Sequence, residues 1–347
     1  MKKNKNFRIL SQKSLISPKK LKKIFPLNKC LKNQVKNSRK IISNIIKKKD
    51  KRLLLVCGPC SIHDIESTLD YAYRLKSIAK ILEDKLYIIM RVYFEKPRTT
   101  TGWKGLINDP YMDNSFNMGS GLYIARKLLI NLLSLNIPLA TEVLDLNNPQ
   151  YIGDLFSWAA IGARTTESQI HREIASGLSM PVGFKNGTDG NLETAINAIC
   201  ASKIPHRFVG INQLGKVCIL QTKGNKDVHI ILRGGKLPNY YNNEIIKCEK
   251  QMLKSNLIPS LVIDCSHGNS NKDFNLQPEV AKNIIKQIKY KNNSIIGLML
   301  ESNINEGQQI LTKDINKIKY GISVTDACLN WKTTENLLCN IYKSLIN

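Results

Sequence analysis

The chain has 347 residues, 42% of them hydrophobic, which is enough to bury the core of one large α/β domain or of two ordinary ones. It has no apolar run near the ~20 residues that a membrane helix needs, and its basic N-terminus lacks the apolar segment of a secretory signal. We therefore expect a soluble, cytoplasmic protein without membrane contact. In such a protein, nine scattered cysteines predict free thiols or metal ligands rather than a disulfide framework.

The formal net charge of +25 would permit binding to nucleic acid. The charge comes mainly from lysines that occur together with many Asn and Ile residues, and aromatic residues make up only 7% of the chain. Because no nucleic-acid-binding motif accompanies the charge, the sequence favours a compositional bias over a nucleic-acid partner. A basic protein still attracts anionic substrates through its electrostatic field.

The first fifty residues precede the first predicted strand and contain two predicted helices. One begins at Ser17-Pro18. The other covers residues 38–48 and carries an apolar stripe formed by Ile41, Ile42, Ile45 and Ile46. Such a stripe needs a partner, so we expect this N-terminal extension, residues 1–50, to pack on a barrel or on a neighbouring subunit.

From residue 51 onward, short apolar runs alternate with helical patterns. Eight runs are predicted strands: residues 53–57, 87–94, 138–143, 158–163, 181–187, 229–235, 260–268 and 294–302. Continuously apolar strands indicate a parallel sheet buried on both faces. Eight βα units in about 300 residues predict a TIM (β/α)8 barrel over residues 51–347. A doubly wound sheet is the alternative, but no Gly-rich nucleotide loop follows the first strand.

Residues 206–225 interrupt this alternation. Two short β-like runs with a glycine between them predict a β-hairpin inserted before the sixth barrel strand.

A Cys-x-x-Cys pair, Cys57 and Cys60, closes the first predicted strand in the stretch LLLVCGPCSIHD. This spacing alone is compatible with a redox disulfide, a zinc knuckle or a site completed by distant residues. The first strand makes Cys57 a buried strand residue. The adjacent His63 is predicted to lie in the first turn of the following helix, for which Asp64 is a suitable N-cap.

Possible metal ligands occur where predicted barrel strands end, and there the loops of a barrel build the active site. Together the four candidates offer one sulfur, one nitrogen and two carboxylates: Cys60, His267, Glu301 and Asp326. Mixed ligands of this kind suit a borderline divalent ion such as Mn, Fe, Co or Zn, whereas a structural zinc site is more often Cys-rich. We therefore predict that Cys60 binds a metal with distant partners.

Most other residues at the predicted strand ends are cations. They are Arg91, Lys96, Arg98, Arg164, Lys185 and Arg233, and Glu142 is the acidic exception. Neighbouring Gly and Thr residues let the backbone approach an anion, and arginine binds phosphate and carboxylate through a bidentate fork. Because clustered like charges repel one another, the substrates should carry several negative charges, as two phosphorylated molecules would.

Several motifs resemble one known family, the class I 3-deoxy-D-arabino-heptulosonate 7-phosphate (DAHP) synthases. The motifs are GPCSIHD, RVYFEKPRTT, GWKGLINDP, IGARTTESQ, PVGFKNGTDG, HIILRGGK, DCSHGNSNKD and SVTDAC. The resemblance covers residues from about 35 to 342 and looks closer to the tyrosine-sensitive members than to the phenylalanine- or tryptophan-sensitive ones. It implies a TIM barrel with an N-terminal extension and an inserted hairpin, in agreement with the pattern of elements.

The resemblance also implies a reaction and roles for residues. Members of the family condense phosphoenolpyruvate with D-erythrose 4-phosphate, release phosphate and open the shikimate pathway toward chorismate. The metal ligands that it implies are Cys60, His267, Glu301 and Asp326, of which Cys60 and His267 are counted with Lys96 as catalytic. Phosphoenolpyruvate would contact Arg91, Lys96, Arg164, Lys185 and Arg233, and the aldose phosphate would contact Arg98 and Thr99. Glu142 or a water chain would activate the water that attacks.

Relatives bind an aromatic effector beneath the barrel, close to a neighbour's N-terminal arm. The matching residues here are Gln150, Ile174, Leu178, Ser179, Phe208 and Gly210. Gly210 stands where the phenylalanine-sensitive relative has a serine, so tyrosine is the expected effector, in a homodimer or homotetramer. Two other functions remain open: a sister enzyme that uses arabinose 5-phosphate, and a thiol redox protein.

Overall fold

A computed structural model describes residues 8–98, 102–312 and 314–346. This part of the chain forms ten strands: β1 (Leu53–Gly58), β2 (Leu86–Arg91), β3 (Leu139–Glu142), β4 (Trp158–Ile161), β5 (Val182–Lys185), β6 (Arg207–Ile211), β7 (Val217–Gln221), β8 (Val228–Leu232), β9 (Leu261–Asp264) and β10 (Ile295–Glu301). It also forms ten α-helices: α1 (Pro18–Ile24), α2 (Lys29–Ile46), α3 (Ile65–Ile81), α4 (Met118–Ser134), α5 (Asn148–Ile152), α6 (Gln169–Gly177), α7 (Glu193–Ser202), α8 (Asn242–Lys254), α9 (Gln277–Lys289) and α10 (Trp331–Ile346).

Eight of these strands close into a parallel barrel in the order β1-β2-β3-β4-β5-β8-β9-β10. The barrel closes where β1 pairs with β10, with Leu54 opposite Gly297 and Gly58 opposite Glu301. The remaining strands, β6 and β7, form an antiparallel hairpin before the sixth barrel strand. Both the predicted TIM barrel and the predicted hairpin are therefore confirmed.

The barrel strands are largely apolar because both of their faces are covered. In β1, Leu53, Leu55 and Cys57 belong to the core between barrel and helices, whereas Leu54 and Val56 belong to the core inside the barrel. Cys57 is fully buried, and its sulfur lies 3.1 Å from the hydroxyl of a helix residue, Tyr71. The prediction that Cys57 is a buried strand residue is confirmed.

Helix α2 covers the N-terminal end of the barrel. Its residues Ile42, Ile45 and Ile46 are buried in the same cluster as the inward-facing strand residues. Nearby, the hydroxyl of Ser260, just before β9, donates a 3.0 Å hydrogen bond to the carbonyl of Ile46. The isoleucine stripe therefore has the barrel as its partner.

Helix α2 begins well before residue 38, where the sequence pattern placed its start. Asn28 is its N-cap, and the Asn28 side chain accepts a 2.9 Å hydrogen bond from the backbone N–H of Leu31. Leu31 and Val35 are buried, so the apolar face extends through the first half of the helix. The isoleucine stripe marks only the half that enters the barrel.

The loop after β1 leads directly into α3. The Asp64 carboxylate caps α3 by accepting hydrogen bonds from the backbone N–H groups of Glu66 (3.0 Å) and Ser67 (3.2 Å). His63 therefore lies one residue before the N-cap of α3. The prediction that it lies in the first turn of this helix was wrong. Asp64 was correctly predicted as the N-cap.

In the described ranges, none of the helices combines the length and apolarity that a bilayer-crossing segment requires.

Candidate active site

Charged side chains end five of the barrel strands, all at the same end of the barrel. Arg91 ends β2, Glu142 ends β3, Lys185 ends β5, Asp264 ends β9 and Glu301 ends β10. The loops beyond them enclose a cavity of about 540 Å³. Predicted site residues that line it are Lys96, Arg98, Glu142, Arg164, Lys185, Arg233, His267, Glu301 and Asp326. The strand ends thus bring together residues that lie far apart in sequence.

Three of the four predicted metal ligands converge on one point. The Cys60 sulfur and carboxylate oxygens of Glu301 and Asp326 all lie within 4.8 Å of one another. His267 is at the edge of this group, with Nε2 3.9 Å from Glu301 Oε1. The chain therefore presents sulfur and two carboxylates at one place, with an imidazole beside them, a donor set suited to a borderline divalent ion.

The protonation of Cys60 also fits a cation site. Burial raises the pKa of the Cys60 thiol to about 12, and the thiol donates a 3.3 Å hydrogen bond to Asp326 Oδ2. Although desolvation opposes ionisation of Asp326, the positive charge of Lys96 and the nearby His267 lower its pKa to about 2. A divalent ion would replace the thiol proton between sulfur and carboxylate, since the thiolate is the form that binds metals.

Neighbouring side chains fix the orientation of Glu301. The side-chain amide of Gln277 pairs with its backbone, accepting from the Glu301 N–H (2.8 Å) and donating to its carbonyl (3.0 Å). Its carboxylate accepts a 2.9 Å hydrogen bond from the buried guanidinium of Arg91. These contacts hold the Glu301 carboxylate before any ligand binds.

His267 is held through its other ring nitrogen. Its Nδ1 lies 2.7 Å from the Ser266 hydroxyl and 3.0 Å from Asp264 Oδ2, and its backbone is left-handed with φ of 59°. Contacts of this kind to the second ring nitrogen commonly orient a metal-binding histidine. They leave Nε2 directed toward Glu301.

Lys96 lines the cavity, and Arg91 is buried beside Glu301. The Arg91 guanidinium is buried 4.1 Å from the ring centre of Tyr93, a cation–π contact. The Lys96 ammonium donates to Cys60 Sγ at 3.0 Å. Burial acts to lower the pKa of Lys96, but neighbouring acidic groups, Cys60 first, outweigh it and raise the pKa. Lys96 is therefore charged.

Asp264 is a site residue that the sequence analysis did not assign. It is fully buried, forms a 2.8 Å ion pair with Lys185 and contacts His267. Against the effect of its burial, Lys185 and His267 hold its pKa well below the usual range. It lies in the middle of the predicted strand 260–268 but at the end of the observed strand β9, and only the barrel shows that it faces Lys185.

Asn186 links two of the cationic loops. Its side chain accepts a 2.8 Å hydrogen bond from the backbone N–H of Arg233 and donates a 2.9 Å bond to the carbonyl of Gly234. Because Asn186 directly follows Lys185, this contact sets the distance between the ends of β5 and β8. Asn186 lies within the motif PVGFKNGTDG, but the sequence analysis assigned no role to it.

The remaining predicted cations lie at the rim. Arg98 is exposed. Its guanidinium lies beside Gly102, whose φ is 137°, in the space that a side chain at that position would need. Arg164 is also exposed and donates a 3.4 Å hydrogen bond to the carbonyl of Pro97. Thr99, which was predicted to contact the aldose phosphate, lies outside the described residues.

Glu142 is buried in the wall of the cavity, opposite a glycine. A Cβ atom on Gly162, the first residue after β4, would lie 2.3 Å from Glu142 Oε1. The absence of a side chain at Gly162 therefore makes room for the carboxylate. This places an acidic group among the cations that line the cavity.

All nine cysteines of the chain are free thiols.

Comparison with known proteins assigns the chain to a family. The family model described as the DAHP synthetase I family matches residues 28–339. The chain belongs to this family.

Three relatives show how far the similarity extends. The chain is 61% identical over 340 residues to the Tyr-sensitive phospho-2-dehydro-3-deoxyheptonate aldolase of Escherichia coli, covering 98% of this chain and 96% of the relative. It is 50% identical to the Phe-sensitive enzyme of the same organism, covering 96% and 95%. A solved structure of a phospho-2-dehydro-3-deoxyheptonate aldolase from Francisella tularensis aligns with a TM-score of 0.95 at 45% identity, covering 97% and 98%. The protein is therefore an enzyme, a transferase of the DAHP synthase type.

The predicted effector residues of this DAHP synthase lie on elements that touch one another. Ile174 is buried in α6, Leu178 and Phe208 are partly buried against the main core, and Ser179 is exposed. Gly210 pairs with Cys218 in the hairpin, and α6 lies against β6. The structure therefore places these five residues where α6 meets the hairpin.

The sixth effector residue, Gln150 of α5, joins this region through the turn of the hairpin. Its side chain accepts a 2.7 Å hydrogen bond from Gln213, whose own carbonyl accepts a 2.8 Å bond from the backbone N–H of Lys19. A further bond runs from the Tyr151 hydroxyl to the carbonyl of Ile16 (2.8 Å). The N-terminal segment, α5 and the hairpin thus contact one another.

Proposed function

We propose that the enzyme condenses phosphoenolpyruvate with D-erythrose 4-phosphate and releases phosphate, forming DAHP with one divalent metal ion. The observation that carries this proposal is the meeting of Cys60, Glu301 and Asp326 at a cavity lined by several cations. The product would open the shikimate pathway to chorismate and the aromatic amino acids, and the names of the relatives support DAHP as that product.

The metal ligands in this proposal are Cys60, His267, Glu301 and Asp326, and the ion is Mn, Fe, Co or Zn. The fit rests on the donor set: a thiol that already hydrogen-bonds a carboxylate, a second carboxylate and an adjacent imidazole nitrogen. When bound, the ion would polarise the aldehyde oxygen of the aldose.

Phosphoenolpyruvate is bound by Arg91, Lys96, Arg164, Lys185 and Arg233 in this proposal. Its phosphate and carboxylate need several positive charges, and the cavity provides them. The fixed pairs Lys185–Asp264 and Arg91–Glu301 hold two of these cations in place in advance. Such positioning supplies much of the rate, because the enol carbon is a weak nucleophile.

In this proposal, the aldose phosphate is bound by Arg98, which lies at the rim, and by Thr99. This arrangement would place its aldehyde near Lys96. Because Lys96 carries its proton, it can stabilise the alkoxide that forms when the enol carbon attacks the aldehyde.

The later steps need a proton acceptor. Water adds to C2 of the former enol, and the bond between C2 and the phosphate oxygen then breaks. Glu142 is the acidic group in the cavity wall that can accept the proton of this water. Arg164, Lys185 and Arg233 stabilise the departing phosphate by their charge.

Regulation by tyrosine and assembly into a homodimer or homotetramer belong to the same proposal. Tyr-sensitive, Phe-sensitive and tyrosine-inhibited enzymes are all found among the relatives. We assign the effector site to Gln150, Ile174, Leu178, Ser179, Phe208 and Gly210. Residues 1–50 would serve as a regulatory and subunit-contact extension to the catalytic unit of residues 51–347.

The direct test is release of inorganic phosphate by the purified enzyme. We expect release only when phosphoenolpyruvate, erythrose 4-phosphate and a divalent ion are all present, and loss of release with a chelator that is reversed by adding metal. Replacing erythrose 4-phosphate with arabinose 5-phosphate is the matched substrate control. Faster turnover of arabinose 5-phosphate would show that the enzyme is the sister synthase instead.

A further inference from the structure

A second buried carboxyl group lies close to the active-site cavity. Glu95 follows β2 and directly precedes Lys96, and it is only 6% exposed. It does not line the cavity that holds the predicted substrate-binding cations. The proposed reaction therefore gives it no role.

A small pocket of about 20 Å³ is lined by both Glu95 and Glu142. Its polar lining residues are Thr141, Glu142, Asp145, Asn148 and Glu95, and the rest are mainly apolar. A space of this size holds one water molecule when polar groups are available to bind it. Glu142 lines both this pocket and the active-site cavity, so one residue is shared by the two spaces.

The positions of both carboxyl groups are restricted. Gly162 lies directly against Glu142 Oε1, as described above. The backbone N–H of Asp145 points to Glu95 Oε2 at 3.5 Å. Both residues line the same small space, and each has a contact that limits its carboxyl group.

The charged groups that face Glu95 are all acidic. Glu142 and Asp145 come from the end of β3 and its loop, and the other lining side chains from α5 and from the segments before β4 and β5 are uncharged. The ammonium of the adjacent Lys96 is turned away to Cys60. Burial raises the pKa of Glu95 to about 7; a hydrogen bond with the Asn148 side chain acts against this rise, and the charges of Asp145 and Glu142 act with it.

Building on the proposed function, we propose that Glu95 acts through Glu142 as the group that stores the proton lost by the attacking water. The path runs from the water to the Glu142 carboxylate, then through a water in the small pocket to Glu95. Glu95 touches neither substrate, so it is a positioning residue for the proton rather than a catalytic residue.

The protons balance over the whole reaction. The water brings two protons as its oxygen bonds to C2. One is held by Glu142 and Glu95 until the bond from C2 to the phosphate oxygen breaks, and it then leaves with the phosphate. The other, on the new C2 hydroxyl, is lost as the ketone forms and ends on the hydroxyl made from the aldehyde oxygen. No oxidant or further reactant is needed.

The physical reason for a second acceptor is the position of Glu142. Glu142 lines the cavity in which the substrates are proposed to bind, whereas Glu95 does not. An acceptor that titrates near the working pH takes up and returns a proton most efficiently. Glu95 meets that requirement, and its separation from the substrates protects the stored proton.

The test is Glu95→Gln, which keeps the size and polarity of the side chain but cannot store a proton. Because unprotonated Glu95 is the acceptor, wild-type kcat should rise with pH through about 7. We expect the variant to lose this rise, with kcat lowered about 10- to 100-fold at pH 8 and both KM values within about threefold. Ionisation of the substrates themselves affects both enzymes equally and cancels in the comparison.

Asp145→Asn is the matched control, since it removes the neighbouring negative charge while keeping the oxygen that accepts from the backbone of Asn147 and Asn148. Its pH rise should persist but move to lower pH. The proposal is wrong if Glu95→Gln keeps the wild-type pH profile, or if it loses only substrate affinity or thermal stability. Absence of phosphate release in the wild type would instead refute the proposed function.

Discussion

Glu142 depends on its neighbour Gly162, which contributes by having no side chain. The glycine occupies the first position after β4, and a Cβ there would meet the Glu142 carboxylate oxygen at 2.3 Å and its carboxyl carbon at 3.2 Å. Since the backbone of a barrel strand cannot move freely, the carboxylate would have to move. The position of the proposed water-activating group is thus fixed by a residue that forms no bond to it.

We predict that Gly162→Ala lowers kcat about 10- to 100-fold, because displacing a reacting group by about 1 Å has an effect of that size. The metal stoichiometry should be unchanged, since Glu142 is not a proposed ligand. Steady-state kinetics and metal analysis of the purified variant check both expectations.

Gly119→Ala is the control for Gly162→Ala. A Cβ on Gly119, in the first turn of α4, would have its nearest neighbour at 3.7 Å, an ordinary contact. This variant should keep wild-type kcat. If Gly162→Ala is as active as Gly119→Ala, the carboxylate position at Glu142 does not matter for the reaction.

Residue types at strand ends could be predicted from the sequence, but their partners could not. The four candidate metal ligands and six cations were found because each follows an apolar run. Asp264 was missed because its role depends on its ion pair with Lys185, which lies on a strand two places away in the barrel. Glu95 was missed for a similar reason, since only the fold places it in the same pocket as Glu142.

At the scale of elements, local signals predicted most strands and caps well. Continuous apolar runs and the Asp64 cap depend on nearby sequence, so they were found with small errors at the ends. The start of α2 was predicted too late because the prediction relied on the isoleucine stripe. The first half of the helix lies before this stripe and buries other residues, Leu31 and Val35. Contacts between α5, α6 and the hairpin join distant segments, so only the family resemblance indicated them.

These contacts lead to a prediction about regulation. We expect added tyrosine to lower the initial rate of the wild-type enzyme more than phenylalanine or tryptophan does. Gly210→Ser should raise the tyrosine concentration for half-inhibition about tenfold, an effect of about 1.4 kcal/mol. The reason is space: a Cβ on Gly210 would lie 2.6 Å from the end of the Leu220 side chain, and the hydroxyl would occupy the proposed pocket.

Val209→Ser is the control for this prediction, because the Val209 side chain lies on the opposite face of β6 and is 72% exposed. It should leave tyrosine inhibition unchanged. If tyrosine has no effect on the wild type, the regulatory proposal fails while the synthase proposal stands. If Gly210→Ser is inhibited like the wild type, tyrosine binds elsewhere.

For the whole molecule, the barrel closure is what creates the site. Residues 60, 267, 301 and 326 become neighbours because β1 pairs with β10 and β10 pairs with β9. Helix α2 fills the opposite end of the barrel with isoleucines, so one end is core and the other is open to ligands. The net charge of +25 attracts anionic substrates to that open end over distances limited by salt screening.

The central claim is that this closure builds a metal site with a cysteine ligand. The most direct measurement is a titration of the metal-free protein with Co²⁺, followed by the absorption that a thiolate–cobalt bond produces. We predict one Co²⁺ per chain with this absorption and release of a proton as Cys60 ionises. Cys60→Ser should lose the absorption and bind Co²⁺ more than about 100-fold more weakly. This loss is larger than the one expected when a residue that only orients a metal ligand is replaced. The exposed Cys200→Ser should match the wild type. Equal binding by Cys60→Ser, or Co²⁺ binding without the thiolate absorption, would contradict the account.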